Sequence, residues 1–221
     1  MKLLLTSAGV KNESIRTALV EMLGKPIAES DALLIPTASY GHERGQFGAY
    51  RFITGNATTP MAELGWKSLG VLELTSLPSL PKEYWVPIAQ EADILLVNGG
   101  DAVYLGYWIR QSGLLELFPS LDDTIWMGLS GGSMVMAPKI GADFMSWQPP
   151  GGSDETLGVV DFAIFPHLDH PNLPENTMAD AEQWAAGMSI PCYAIDDDTA
   201  IKVVDGTVEV ISEGNWTLLN G

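Results

Sequence analysis

Cysteine is almost absent from this chain of 221 residues, because Cys192 is the single one. An intrachain disulfide is therefore impossible, and a cysteine-rich metal site is excluded. Histidine is also scarce, with three residues in all, so few side chains are available as a base near neutral pH. This cysteine usage fits a reducing compartment, and we expect a cytoplasmic protein.

Basic residues are scarce as well, with 11 Lys and Arg against 28 Asp and Glu and a formal net charge of −17. This charge disfavours nucleic acid and anionic membranes, and we expect neither as a partner. No apolar run approaches the roughly 18 residues of a membrane span. The opening "MKLLLTSAG" contains too short an apolar run for a signal peptide. The sequence leaves the oligomeric state open, a homodimer included.

Short apolar runs alternate with amphipathic segments along the chain. Strands with continuous apolar runs are covered on both faces, which indicates a parallel sheet between helices. We therefore predict one α/β domain over residues 1–221, with a three-layer, doubly wound, mostly parallel sheet. In "VVDGTVEV", Asp205 and Gly206 lie between alternating residues and predict a C-terminal antiparallel hairpin. The other predicted strands are 2–5, 31–39, 71–76, 93–100, 124–130 and 158–167. The predicted helices are 12–23, 43–64 with a break, 82–92, 101–113, 131–139 and 175–186.

One serine lies among glycines in "WMGLSGGSMVM", where Ser130 follows a predicted strand and precedes a predicted helix. A nucleophile elbow has this G-x-S-x-G pattern in this context, since a tight turn exposes the serine hydroxyl. The amide of Gly131, directly after the serine, could help to bind an oxyanion. A glycine-rich turn without a catalytic serine can have the same sequence pattern. The hypothesis of a nucleophile elbow therefore depends on the position of Ser130 between a predicted strand and a predicted helix.

A serine nucleophile needs a base, and His167 is the preferred one. It follows the apolar strand "FAIF" and Pro166, at the strand's carboxyl end, where Ser130 also lies. His170 is three residues further on, in a predicted loop, and His42 is interpreted as an exposed polar residue or a rim contact. The spacing of these histidines does not support a metal site, and we expect no cofactor or metal.

The base in turn needs an acid that orients it. Between Ser130 and His167 the candidates are Asp143, Asp154, Glu155 and Asp161. We prefer Asp143, which follows the helix after the serine, and place Glu155 second.

A second glycine pair ends a predicted strand in "VNGGDAVYL". Its amides, from Gly99 or Gly100, could contribute to an oxyanion hole, and Asp101 can cap the helix that follows. We assign Gly99 and Asp101 to substrate binding.

Together these segments resemble the peptidase E family of serine peptidases, the aspartyl dipeptidases, with cyanophycinases as more distant relatives. The similar segments are "LLLTSAG", "LLIPTAS", "NGGDAVYL", "GLSGGSMVMAP" and "FPHLDHPNLPENT". The resemblance implies a modified doubly wound fold close to that of class I glutamine amidotransferases. It also implies Ser130 as nucleophile, His167 as base, an Asp or Glu as third member, and an oxyanion role for Gly100 and Gly131. Asp143 matches the place of the acid only with a gap of two residues.

The predicted function is hydrolysis of small peptides, dipeptides above all, through an acyl-enzyme, with a small peptide as the partner. An esterase or amidase with the same triad and a catalytically silent binding domain are the alternatives.

The sequence departs from the aspartyl dipeptidase pattern after the histidine loop, where those enzymes carry arginine. The segment "PENTMADAEQWAAGM" contains no Lys or Arg. A buried aspartate side chain needs a cationic partner. We therefore predict weak or absent preference for an N-terminal aspartate, unless Arg44, Arg51 or Arg110 reaches the site from elsewhere.

Overall fold

A seven-stranded sheet forms the centre of the molecule in the computed structural model, which describes residues 1–221. The strand order is β3-β2-β4-β5-β1-β8-β9, and the first five of these strands run parallel. The last two pair antiparallel, β1 with β8 and β8 with β9. The strands of this sheet are β1 Lys2–Thr6, β2 Asp31–Ile35, β3 Ser68–Val71, β4 Ile94–Val97, β5 Ile125–Leu129, β8 Thr199–Val204 and β9 Thr207–Ser212.

A second, three-stranded sheet has the order β10-β7-β6. Its strands are β6 Ala163–Phe165, β7 Cys192–Ile195 and β10 Trp216–Leu219, and β6 runs parallel to β7. The helices are α1 Glu13–Leu23, α2 Gly45–Ile53, α3 Lys82–Glu91, α4 Ala102–Ser112, α5 Gly131–Met134 and α6 Met178–Ala186. None of them combines the length and the apolar character needed to cross a membrane.

The inner strands β1, β2, β4 and β5 of the central sheet are buried on both faces, as their continuous apolar runs predict. Along β1, Leu3 and Leu5 pack into one core cluster while Leu4 packs into another. The same division separates Trp126 from Met127 on β5. Side chains alternate between the two faces of a strand, so one continuous run of apolar residues contributes to a core on each side of the sheet. The predicted fold class, a mostly parallel α/β sheet with antiparallel C-terminal strands, is confirmed.

Local signals in the sequence account for several element boundaries. Asn12 caps α1 by accepting a hydrogen bond from the Ile15 amide at 2.9 Å, and Gly24 ends the helix in the left-handed conformation. The β8–β9 turn places Asp205 at φ 51° and Gly206 at φ 75°. Two positive φ angles in succession are what a two-residue hairpin turn requires.

The strand predicted at 71–76 is wrong in its position. The structure has β3 at Ser68–Val71, and Leu74–Ser79 forms a 3-10 turn instead. Pro78 lies inside this turn, and Glu73 caps it by accepting a hydrogen bond from the Thr75 amide. A proline and a side-chain cap favour the turn over a strand, although the letters "VLELTS" are apolar enough for either.

Parallel strands end at the same edge of a sheet, and the candidate site lies along this edge. Ser7 follows β1, Ser39 lies in the 3-10 turn after β2, Gly99 follows β4, and Ser130 follows β5. In the strand order, β5 lies between β4 and β1. Ser130 therefore has the end of β4 on one side and the end of β1 on the other.

Candidate active site

Ser130 sits on a tight turn between β5 and α5, with φ 49° and ψ −115°. A positive φ is rare for a residue other than glycine and costs of order 1–3 kcal/mol, so the surrounding structure must impose it. The Ser130 amide donates to the Thr6 carbonyl at 3.0 Å, and the Ser130 carbonyl accepts from the Ser133 amide at 2.8 Å. The side chain is half-buried. This conformation matches the nucleophile elbow predicted from the sequence.

The glycines around Ser130 allow backbone segments to approach one another. A Cβ on Gly128 would lie 2.4 Å from the Gly132 carbonyl oxygen, and a Cβ on Gly132 would lie 2.4 Å from the Val97 carbonyl oxygen. Both distances are shorter than real contacts allow. The glycines are therefore required for packing of the turn, apart from any catalytic role of the serine between them.

The backbone amides of Gly100 and Gly131, next to the serine, have no hydrogen-bond acceptor within the chain. Gly100 has φ 141°, and a Cβ on it would lie 2.2 Å from the Ala38 carbonyl oxygen. A Cβ on Gly131 would lie 2.1 Å from the Gly100 carbonyl oxygen, so the two glycines pack backbone against backbone. Gly131 is the first residue of α5, where a helix leaves its amides without acceptors, and free amides beside a serine can bind an oxyanion.

His167 follows β6 and Pro166 and also has a positive φ, of 58°. Its amide donates to the Ser7 hydroxyl oxygen at 2.8 Å. Its Nδ1 lies 2.7 Å from Oδ1 of Asp197. Because Asp197 occupies Nδ1, the other ring nitrogen, Nε2, is left for a reacting group. No hydrogen bond joins the Ser130 hydroxyl to His167, a contact that in free enzymes is often long and tightens with substrate.

The carboxylate beside His167 is Asp197, in the turn between β7 and β8. Burial alone would raise the pKa of Asp197, but hydrogen bonds from His167 and Ser7 and the nearby charge of the histidines hold it below its usual value. His170 also approaches this carboxylate, with its Nε2 3.7 Å from Oδ2. Asp197 therefore stays ionised and able to orient the imidazole.

The structure corrects the preference for Asp143 as the partner of His167. Asp143 is exposed in the 3-10 turn Ala142–Phe144 and lines a pocket with Glu175 and Asp180. Of the other candidates, Glu155 is exposed and bridges to Lys139 through the backbone. Asp154 accepts from the Gly141 amide, and Asp161 is exposed. None of the four contacts His167.

The structure also disagrees with the substrate-binding role predicted for Asp101. Its side chain is fully buried, and its carboxylate is occupied by backbone amides. Oδ1 accepts from Tyr104 at 2.7 Å, while Oδ2 accepts from Ser146 at 2.7 Å and from Trp147 at 2.6 Å. Asp101 caps α4, as predicted, and holds the 146–147 segment, but no oxygen of its carboxylate is left for substrate. The other assigned residue, Gly99, does line an open pocket beside Ser130.

Sequence reasoning missed Ser7 as well as Asp197. The Ser7 hydroxyl is fully buried, accepts from the His167 amide and donates to Asp197 Oδ1 at 3.2 Å. It thus fixes both members of the His–Asp pair. The sequence signal that could have identified Ser7 is its position directly after β1, at the same edge of the sheet as Ser130.

Cys192, the single thiol, is buried in β7 away from this cluster. Burial raises the pKa of its thiol to about 11. The thiolate is the nucleophilic form of cysteine, so Cys192 is unsuited to act as a nucleophile.

Comparisons with known proteins identify one family by sequence and two similar folds. The sequence profile of peptidase family S51 matches residues 3–211. The fold is similar to that of a protein from Listeria monocytogenes EGD-e proposed to be a peptidase E, with a TM-score of 0.66, 17% identity and coverage of 96% of this chain and 98% of the other. It is also similar to that of a peptidase from an acI-B1 Actinobacterium, with a TM-score of 0.71, 18% identity and coverage of 100% and 91%. No curated protein sequence matches the chain significantly.

Proposed function

Because the chain belongs to peptidase family S51, we propose that it is a serine peptidase that hydrolyses short peptides, dipeptides above all, through an acyl-enzyme. The observation that carries this proposal is the conformation of Ser130, a strained serine next to two free amides. The His167–Asp197 pair, joined at 2.7 Å and held by hydrogen bonds to Ser7 at the end of the neighbouring strand β1, supports it.

In the first half-reaction the Ser130 Oγ attacks the carbonyl carbon of the scissile peptide bond. His167 takes the hydroxyl proton at Nε2, while Asp197 holds the Nδ1 proton and stabilises the imidazolium. The negative charge that forms on the carbonyl oxygen is bound by the amides of Gly100 and Gly131. Their lack of partners in the free chain supports this role, because no existing hydrogen bond has to break.

Collapse of the tetrahedral intermediate breaks the C–N bond, and the imidazolium of His167 gives its proton to the leaving amine. A water molecule then attacks the acyl-enzyme carbonyl and transfers a proton to His167. The second intermediate breaks the ester bond to Ser130 and returns the proton to Oγ. Atoms and charges balance without a metal or an organic cofactor.

A short substrate fits the space beside the serine. The pocket lined by Gly99 and Gly100 has a volume of about 370 Å³, near the lower end of the range for small-ligand sites. A cytoplasmic location also belongs to this proposal, and it is supported by the single, unpaired cysteine.

Labelling by a fluorophosphonate probe tests whether Ser130 is an active nucleophile. We expect the native chain to be labelled and the Ser130→Ala chain to remain unlabelled, with turnover lowered by roughly 10⁵-fold or more. Ser133→Ala is the matched control, because Ser133 lies in the same segment but donates its hydroxyl to the Thr6 carbonyl and is buried. Labelling that persists in Ser130→Ala would contradict the proposal.

A panel of dipeptides, longer peptides and simple esters then tests the substrate class. Faster hydrolysis of dipeptides than of longer peptides is the expected result. Hydrolysis of esters alone would assign the site to an esterase. A native chain that is neither labelled nor active would be a silent binding domain.

A further inference from the structure

A second histidine lies beside the carboxylate that partners His167. Asp197 uses Oδ1 to accept from His167 Nδ1 at 2.7 Å, and its Oδ2 lies 3.7 Å from His170 Nε2. The centroids of the two imidazole rings are 6.0 Å apart, and the rings are inclined by 75°. One carboxylate therefore faces two imidazoles, and the proposed mechanism gives a role to only one of them.

The loop that carries His170 is fixed by backbone hydrogen bonds on both sides of Leu168. The Leu168 amide donates to the carbonyl of Ile195, the last residue of β7, at 3.0 Å. The Asp169 amide donates to the Asn176 carbonyl at 2.7 Å. Because β7 leads directly into the turn with the acid, these bonds give His170 a defined position relative to that carboxylate.

The backbone also determines which ring nitrogen of His170 carries the proton. The Asn172 amide donates to His170 Nδ1 at 3.2 Å, so Nδ1 is unprotonated while this bond is made. A neutral imidazole has a single N–H, which is then at Nε2, the nitrogen that faces Asp197. At 3.7 Å this N–H is too distant for a normal hydrogen bond, and it acts on the carboxylate through the positive end of its dipole.

Other charged groups near His170 do not connect it to the catalytic histidine. Those that line the same pocket are one lysine and four aspartates, Lys11, Asp169, Asp196, Asp197 and Asp198. Of these five, Asp197 alone lies within ion-pair distance of an imidazole, and it does so for both rings. A change at His170 therefore reaches His167 through Asp197.

We propose that His170 is a positioning residue, which shares the Asp197 carboxylate with His167 and so determines how strongly this acid holds the catalytic imidazole. The proposal rests on the proposed peptidase function. It assigns no proton transfer with substrate to His170, whose effect passes entirely through the acid.

The direction of this effect follows from the charges. The positive end of the His170 N–H stabilises negative charge on Oδ2 of Asp197, so less of that charge stabilises the imidazolium of His167. His167 then keeps its neutral, proton-accepting form to lower pH. A protonated His170 acts in the same direction, because a full positive charge replaces the dipole. The shared acid therefore extends activity toward acidic solution.

Imidazole ¹H–¹⁵N NMR tests the proposal without any turnover, since the chain has three histidines and His42, in a different pocket, is an internal reference. In the native chain we expect neutral His170 to show a protonated Nε2 and an unprotonated Nδ1. In His170→Ala the titration midpoint of His167 should rise by about 0.5 pH unit or more, a roughly threefold change in its proton-binding constant. The midpoint of His42 should not move.

His170→Gln is the conservative variant, because the amide nitrogen of a glutamine can occupy nearly the place of Nε2. It should return the His167 midpoint most of the way to the native value. Asp169→Asn is the matched control, because it changes an exposed charge in the same loop, and asparagine tolerates the φ of 53° found there. Loss of this negative charge should lower the His167 midpoint or leave it unchanged, the opposite of His170→Ala.

The rate of fluorophosphonate labelling against pH should show the same order, because labelling needs the neutral form of His167. In His170→Ala the acid limb should move to higher pH, while the rate on the plateau stays close to native. An unchanged His167 midpoint, or a shift that His170→Gln does not reduce, would overturn the proposal. Loss of labelling at every pH in His170→Ala would also overturn it and would identify His170 as the base. Failure of the peptidase function is seen separately, as an unlabelled native chain whose NMR midpoints are still measurable.

Discussion

The carboxylate that orients His167 can be identified by comparing Asp197→Asn with Asp143→Asn. Asp197 accepts at 2.7 Å from His167 Nδ1, whereas Asp143 is exposed and lines a different pocket. An asparagine at 197 keeps the shape but offers either a neutral oxygen or an amide group to the imidazole. It can therefore stabilise the wrong tautomer and no longer balances the imidazolium charge.

The expected loss in kcat for Asp197→Asn is about 10⁴-fold, which corresponds to roughly 5.4 kcal/mol of transition-state stabilisation. Asp143→Asn should stay close to the native kcat, and so should Glu155→Gln as a second control. The assay is steady-state hydrolysis of a dipeptide together with the rate of fluorophosphonate labelling. A large loss in Asp143→Asn, with near-native activity in Asp197→Asn, would refute the reasoning.

The same variant has a second measurable consequence, on stability against pH. The folded-state pKa of Asp197 is lowered by its hydrogen bonds to His167 and Ser7, despite burial. Such a group contributes stability above its unfolded pKa, about 3.9, and loses that contribution as the pH falls through the lower folded value. The difference in unfolding free energy between the native chain and Asp197→Asn should therefore be largest above about pH 4 and shrink below it. A difference that grows on acidification would contradict the assignment.

Four further substitutions test the rest of the site. His167→Ala should abolish labelling, while His170→Ala should retain most of it, which a labelling time course measures. Ser7→Ala should lower kcat with little change in KM and reduce the unfolding free energy by about 1–3 kcal/mol, since the buried His167 amide loses its acceptor. Gly100→Ala should cost about 3 kcal/mol or more in a denaturant titration, because the added Cβ meets the Ala38 carbonyl oxygen at 2.2 Å; near-native stability in this variant would contradict the packing described.

Those parts of the fold and site that depend on local chemistry could be predicted from the sequence. Asn12 and Gly24 limit α1 as their capping preferences require, and Asp205 begins the predicted hairpin turn. The turn at Ser130 could be predicted because the tight backbone packing around it requires glycine at the neighbouring positions. In each case the interactions that determine the local structure involve residues only a few positions apart in the sequence.

Asp197 could not be found this way because its relation to His167 is made by strand pairing. The two residues are 30 positions apart, and Asp197 lies beyond His167, outside the stretch between Ser130 and His167 that contains the candidate acids. His167 follows β6 and Asp197 follows β7, and these two strands run parallel side by side. Their carboxyl ends must therefore meet. The sequence predicts an antiparallel hairpin at the C-terminal end, but no local signal in it predicts the parallel pairing of β6 with β7 that brings the acid to its base.

Asp101 and Asp197 show that the role of a carboxylate depends on which groups donate hydrogen bonds to it, and not on how close it lies to a sequence motif. Asp101 stands next to the glycine pair, yet three backbone amides occupy its oxygens and leave nothing for substrate. Its effect on chemistry is indirect: by capping α4 it fixes the chain directly after Gly100, whose amide faces the reacting oxygen in the proposed mechanism. Asp197 instead accepts from two side chains, Ser7 and His167, and one of these can exchange a proton with substrate. Asp101, whose oxygens are occupied by backbone amides, stabilises the backbone, whereas the proposed mechanism uses Asp197, whose partner is an imidazole, in the reaction.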